Sequence, residues 1–388
     1  MLIGAASAST HDEAAHAASL ALTAEPGETP GTAIDAVLAG VLAVAARKPS
    51  VLLGAGTLLL AGTGEGLFAV DGRARTTGIG APRPRGFVDA SEVPLIARIA
   101  TPGLPSALAR AHTGRGRLTL TAIVRHALAA AGDVEPDRAR SLRAFAREAG
   151  AFVHESMRAP LLAATARSLG GNLTAEDLEG VRADLVPART VRVDTRAWSF
   201  APWADALAAA FQQTAFQQSG DGTLVDPAPA LDEGPALGIV CANDAHGAFA
   251  AAAFVVAAES LPIEGTGLAL PALAPPVMRG VTRQAPGAIL ALGAPLGVAA
   301  LDGTVDLAVG VGGIGGEPLL AQVVRGLSRG GLTSFEDVIA QPRARRTMTP
   351  EGHALAQLEE RLDRTFGVVS GVHVDERGRG RPLIDPRR

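Results

Sequence analysis

The chain has 388 residues, 47% of them hydrophobic and 19% charged, enough apolar material for a sizeable core and too much for a disordered polymer. A net charge of -4 argues against a protein held to phosphate backbones, and the 46 glycines and 26 prolines follow no Gly-X-Y period, which excludes collagen. Cys241 is the only cysteine, so no internal disulfide and no cysteine-built zinc site can form.

Met1–Thr10 has neither a basic stretch nor a long apolar run, and no apolar segment reaches about 18 residues unbroken by Gly, Pro or charge. The expectation is a cytoplasmic protein that contacts no membrane. In chain order, small apolar residues at helical spacing predict a helix over His11–Thr23, ended by Glu25-Pro26-Gly27. A second helix starts at Gly31 or Thr32, buries Ala33, Ile34, Val37, Leu38, Val41 and Leu42, and stops at Lys48-Pro49. Strands joined by glycine turns are predicted at Val51–Leu53, Leu58–Leu60 and Leu67–Val70, the last running into the hairpin signal Asp71-Gly72.

Thr101-Pro102-Gly103 opens a helix through Ala111, Leu120–Ala131 is another, and Ser141–Leu169 reads as a helical stretch. Thr174-Ala175-Glu176-Asp177 has the form of a capping box, and Val191–Val193 that of a strand. Gly, Asp, Pro and Gln cluster between Gln212 and Pro235 and predict a long loop. Beyond it, strands at Leu237–Cys241, Phe249–Val256, Ile289–Leu292 and Leu307–Val311 precede helices at Leu319–Leu327, Ser334–Ala340 and Ala354–Phe366. This order predicts an α/β (α+β) protein with two sheets between helical layers, α/β/β/α.

Several fragments, in order across nearly the whole chain, resemble the gamma-glutamyltransferase (gamma-glutamyltranspeptidase) family of N-terminal-nucleophile (Ntn) hydrolases. Pro30-Gly31-Thr32-Ala33-Ile34-Asp35-Ala36-Val37 is similar to the family's GGNAxDAAVA, and Gly170-Gly171-Asn172-Leu173-Thr174-Ala175-Glu176-Asp177-Leu178 to its glycine pair before "lt.eDL". Thr101-Pro102-Gly103 with Ala111-His112-Thr113-Gly114-Arg115-Gly116-Arg117-Leu118 resembles "PG…ah…yGrl". Gly310-Val311-Gly312-Gly313 resembles the GSPGG turn, Ala340-Gln341-Pro342-Arg343 "aapR", and Asp385-Pro386-Arg387-Arg388 the closing "DpRr". The resemblance implies a four-layered αββα Ntn sandwich; no cofactor and no metal are expected. It divides the chain into a large-subunit-like region, 1–225, and a small-subunit-like region, 226–388, together one domain. It also implies a precursor that cuts itself before a threonine, whose oxygen then attacks while its freed amine acts as base.

That threonine is missing. The family sets Thr-Thr-His at the entrance of a strand whose counterpart here is Gly238–Gly247, and the slot holds Gly234-Pro235-Ala236. Asp232, Glu233 and Leu237 bring no hydroxyl or thiol either, and Thr223 lies well upstream. The arginine that grips a substrate carboxylate in the family's R-E-x-A-P corresponds to Gly78, near Arg73, Arg75, Arg83 and Arg85. The paired serines of Ser-Ser-Met-Ser-Pro give way to Thr282-Arg283-Gln284-Ala285-Pro286, and the "GtGi.lNN" loop becomes Gly265-Thr266-Gly267-Leu268-Ala269-Leu270. Gly312 and Gly313 remain; their N–H groups would line an oxyanion hole in active relatives, and glycine also suits a φ > 0 turn. Without the hydroxyl that performs self-cleavage, the chain is expected to stay in one piece.

The other candidates have plainer readings. Cys241 falls mid-strand and reads as a buried thiol. Asn243-Asp244-Ala245-His246 reads as a strand-to-strand turn, Asp35 as a cap or loop tether, and His11 and His16 lack the spacing of a helical zinc pair. Arg343, Arg345 and Arg346 read as a solvated basic run, and Arg377–Arg381 as a flexible edge. The expectation is therefore a non-catalytic binding or assembly module, a pseudoenzyme, with Thr282 and Arg283 as contacts for a small gamma-glutamyl or amino-acid-like ligand. It binds no nucleic acid, and its oligomer, with itself or with another chain, is left open. The alternative is an active gamma-glutamyl transferase or amide hydrolase with a displaced nucleophile, Thr223 after processing or Thr282 beside Arg283.

Overall fold

A computed structural model describes residues 4–9, 11–23, 29–62, 66–82, 86–205, 207–208, 235–314, 316–328, 335–340, 343–348, 354–358 and 367–388. Strands β1 (Ala5–Ala8), β2 (Gly56–Ala61), β3 (Leu67–Gly72) and β4 (Asp184–Pro187) join β7 (Ala236–Asn243) and β8 (Phe249–Ala257) in one sheet, ordered β1-β7-β8-β2-β3-β4. The second sheet takes β5 (Arg189–Val193) and β6 (Arg196–Phe200) from the same half of the chain. With β11 (Leu296–Leu301), β12 (Thr304–Gly312), β15 (Val368–Val374) and β16 (Gly380–Ile384) it runs β16-β15-β12-β11-β6-β5, while β9 (Ser260–Ile263) and β10 (Leu268–Pro271) pair apart from both sheets. All the paired strands are antiparallel.

A period of two assigns the faces. Leu58, Leu60, Val240, Ala242, Ala250 and Ala252 point to the helical layer, while Leu59, Ala61, Ile239, Cys241, Ala251 and Ala253 meet the second sheet. Helices α1 (Asp12–Leu22), α2 (Ala33–Arg47), α3 (Leu104–His112), α4 (Leu120–Ala131) and α5 (Pro136–Glu148) cover the first sheet. On the far face of the second lies α9 (Gly316–Ser328), which buries Leu319, Leu320, Val323, Val324 and Leu327. Between α5 and β4 come the short α6 (Phe152–Glu155), α7 (Arg158–Ala164) and α8 (Ala175–Glu179). The layers are αββα.

Small residues let α2 sink between α1, α4 and the sheet, so that every residue from Ala33 to Ala46 is buried. A Cβ on Gly40 would stand 2.8 Å from Val240 Cγ1, so only glycine permits that approach. Thr32 caps α2, and Asp35 completes the box by accepting from the Thr32 N–H at 2.8 Å. Asp177 does the same for α8 with Thr174.

Four local expectations are corrected. Val51–Leu53 is a buried turn with Val51 N–H on the Lys48 carbonyl, because a short apolar run reads alike as strand or packed turn. Ile289–Leu292 is no strand; a single bridge joins Ile289 to Arg75. Ala354–Leu358 is not helical but forms β14, paired with β13 (Ala344–Met348), so the cross-strand partner overrides local spacing; residues 359–366 lie outside the described residues. Arg377–Arg381 is the turn into β16, fixed by Asp375, which accepts from the Arg377 and Arg379 N–H groups.

Arg343 is corrected as well. It is buried and donates to Asp385 Oδ2 at 2.7 Å and to the carbonyls of Gly367 and Ile339, the latter in α10 (Phe335–Ala340). Arg387 donates to Asp385 Oδ1 at 3.1 Å, and the Val369 N–H to Oδ2 at 2.7 Å. The end of the chain is thus pinned to β15 and α10. Arg388 also pairs with Asp12.

Candidate functional site

The structure places the entrance of β7 against the Gly312-Gly313 turn. Leu237 N–H donates to the Gly313 carbonyl at 3.1 Å, and Gly313 N–H to the Leu237 carbonyl at 2.8 Å. Each glycine has a physical reason. Gly313 takes φ +104°, and a Cβ on Gly312 would lie 3.1 Å from the Leu237 carbonyl oxygen and 2.5 Å from Ser9 Oγ. Pro235 and Ala236 precede this bridge at the strand entrance, half-buried; Gly234 and Thr223 lie outside the described residues. The side chain that meets the turn is therefore aliphatic, and Leu237 packs with Ala55, Ala74, Ala100, Val255, Ala274 and Leu290 in a small apolar cluster.

Ser9 is the functional group that sequence reasoning missed. It follows β1, which pairs with β7, and it is 1% exposed. Its Oγ accepts from the Ile239 N–H at 3.1 Å, while its own N–H donates to the Ile239 carbonyl at 3.0 Å. Its amine is locked in a peptide bond, so it lacks the adjacent base of an N-terminal nucleophile. No local signal marks it, because only the β1–β7 pairing brings residue 9 beside residues 239 and 312.

The two altered motifs meet at the rim. Thr76 Oγ1 donates to the Ala285 carbonyl at 2.6 Å and accepts from the Ala288 N–H at 3.0 Å, and Leu290 N–H donates to the Ala74 carbonyl. Thr282 is exposed and Arg283 half-buried, and among the described residues neither side chain has a hydrogen-bond or ion-pair partner. Gly78 N–H and Ile79 N–H donate to the two oxygens of Asp177 at 2.8 and 2.9 Å. Gly78 has φ +106° and a Cβ there would stand 2.1 Å from Asn172 Nδ2, so no arginine fits where the resemblance places one. The Gly265–Gly267 turn lies over α5, where Arg138 Nε donates to the Gly267 carbonyl at 2.8 Å.

Cys241 and Asp244 are structural. Cys241 is buried in mid-strand with its thiol on the Ser370 carbonyl, and burial pushes its pKa far up, the opposite of an activated thiolate. Asp244 holds the turn between β7 and β8, accepting from the His246 and Ala248 N–H groups and, through Oδ2, from Ala33 N–H at the start of α2. This turn stands at the opposite end of β7 from Leu237, roughly 20 Å away for six residues of strand. Among the described residues no three His, Cys, Asp or Glu side chains are placed to hold a metal ion, and no helix is long and apolar enough to cross a membrane.

Two antiparallel sheets between helical layers, with a central strand opening on a glycine turn, make an αββα sandwich, a fold shared with a solved acylase structure. Cephalosporin acylase from Bacillus halodurans superposes with a TM-score of 0.76 at 17% identity, covering 100% of this chain and 94% of its own. LmbA2991HD superposes at 0.72 with 16% identity, covering 99% and 97%. A gamma-glutamyltranspeptidase from Pseudomonas nitroreducens, complexed with L-DON, reaches 0.45 at 19% identity over 56% of this chain and 78% of its own. No protein-family model and no curated protein matches the sequence.

Proposed function

We propose that this chain is a non-catalytic protein on the Ntn-hydrolase scaffold that acts as a binding or assembly module. One observation carries the reading: the β7 entrance presents Leu237, and both of its backbone hydrogen bonds are spent on Gly313. Nucleophilic catalysis needs a hydroxyl or thiol beside a base, and Leu224–Val240 contains no Ser, Thr or Cys. An oxyanion hole needs free donors, whereas the Gly313 N–H is already given to a carbonyl.

A second reading, amide hydrolysis by a displaced nucleophile, is favoured only by Ser9 Oγ beside Gly312. Against it stand the burial of Ser9 and the absence of a free amine. The purified chain is expected to release no chromophore from gamma-glutamyl or acyl anilides, with Ser9→Ala indistinguishable from the parent. Turnover above buffer that Ser9→Ala abolishes would establish the second reading instead.

A further inference from the structure

We propose that the arginine-bearing lobe beside the β7 entrance docks a short acidic, aliphatic peptide segment of a partner protein. The inference rests on the binding-module reading and names what the module holds. The lobe is built from residues 72–82 and 86–88 together with 272–292, none of which is an Asp or a Glu. Backbone bridges join them at Arg75 to Ile289 and at Phe87 to Met278, and the Thr76 hydroxyl fastens them at the Ala285 carbonyl.

Arg75, Arg279 and Arg283 lie on these stretches, and among the described residues none of their guanidinium groups has a partner. Several nearby acids are engaged elsewhere, and Glu176 lies exposed beside Gly80 at the edge of the lobe. Asp71 holds Arg73, Asp177 accepts from Gly78 and Ile79, Glu259 pairs with Arg98, and Asp89 accepts from Ser91. The same lobe exposes three large aliphatic side chains, Val88 at 70%, Val281 at 65% and Ile289 at 40%. Unpaired cations beside exposed aliphatic groups make a surface complementary to carboxylates alternating with apolar residues.

The charge of the whole chain narrows the partner. With a net charge of -4, a broad polyanion or anionic membrane would meet an acidic remainder, whereas a short segment feels mainly the local field within a Debye length of about 8 Å. Fluorescence anisotropy on the full chain with a labelled peptide of alternating Asp and Leu tests this, beside its Lys-Leu counterpart. Only the acidic peptide is expected to bind, more weakly at high salt. Joint replacement Arg75→Gln, Arg279→Gln and Arg283→Gln should weaken it about ten-fold, the sum of three modest exposed pairs. Arg158→Gln, on α7, should change nothing. Equal binding of both peptides, an unchanged triple variant, or tighter binding of inorganic polyphosphate or of phosphatidylglycerol vesicles would overturn the proposal. Chromophore release tests the non-catalytic reading separately, so either can fail while the other stands.

Discussion

Asp385→Ala is expected to destabilise the fold by about 3–5 kcal/mol, because it breaks a buried ionic cluster by removing one member. Arg343 and Arg387 are each 3% exposed, and Asp385 is their shared counter-ion. Its two oxygens also accept from the N–H groups of Val369 and Arg387. The variant removes the carboxylate that two buried guanidinium groups share and leaves two backbone donors without their acceptor. Urea denaturation followed by circular dichroism gives the loss, and Asp385→Asn should fall between parent and alanine because it keeps an acceptor. A change within about 0.5 kcal/mol, the range of ordinary surface substitutions, would mean that the C-terminal segment does not hold α10 and β15 together.

Asp35→Ala is expected to cost roughly 3 kcal/mol, combining a lost helix cap with three part-buried N–H donors that lose their acceptor. Asp35 Oδ2 accepts from the N–H groups of Thr32 at 2.8 Å, Arg117 at 2.9 Å and Leu118 at 3.1 Å, tying the start of α2 to the loop before α4. Thr32→Ala removes only the hydroxyl side of the capping box and should cost about 1 kcal/mol. Thermal melts of the two variants give the order; equal losses would show that the loop tether contributes nothing beyond the cap.

Much of the framework is legible in the sequence for local reasons. Thr32 with Asp35 and Thr174 with Asp177 show their caps within four residues, and the apolar run Leu58–Leu60 reads as a buried strand, although only the structure shows which of its residues face which layer. The role of Asp35 as a tether follows from its place in the first turn of a buried helix. Long-range partners decide the rest. Arg343 reads as surface until Asp385, 42 residues on, neutralises it inside the core. Ala354–Leu358 reads as helix until β13 pairs with it. At the site, the inert slot is visible as a run without Ser, Thr or Cys, but not that Leu237 bridges to Gly313, nor that Ser9 stands beside Gly312. Those contacts cross 76 and 303 positions and depend on strand order, which no window of sequence contains.

The mass of the purified 388-residue chain, taken intact under denaturing conditions and again after exposure to a glutamine-like inactivator, reads the chemistry of the β7 entrance directly. A single polypeptide of 39.2 kDa that gains no adduct is the outcome this account requires. Two fragments divided shortly before Leu237, or one covalent modification mapped to Ser9 or Thr282, would contradict it.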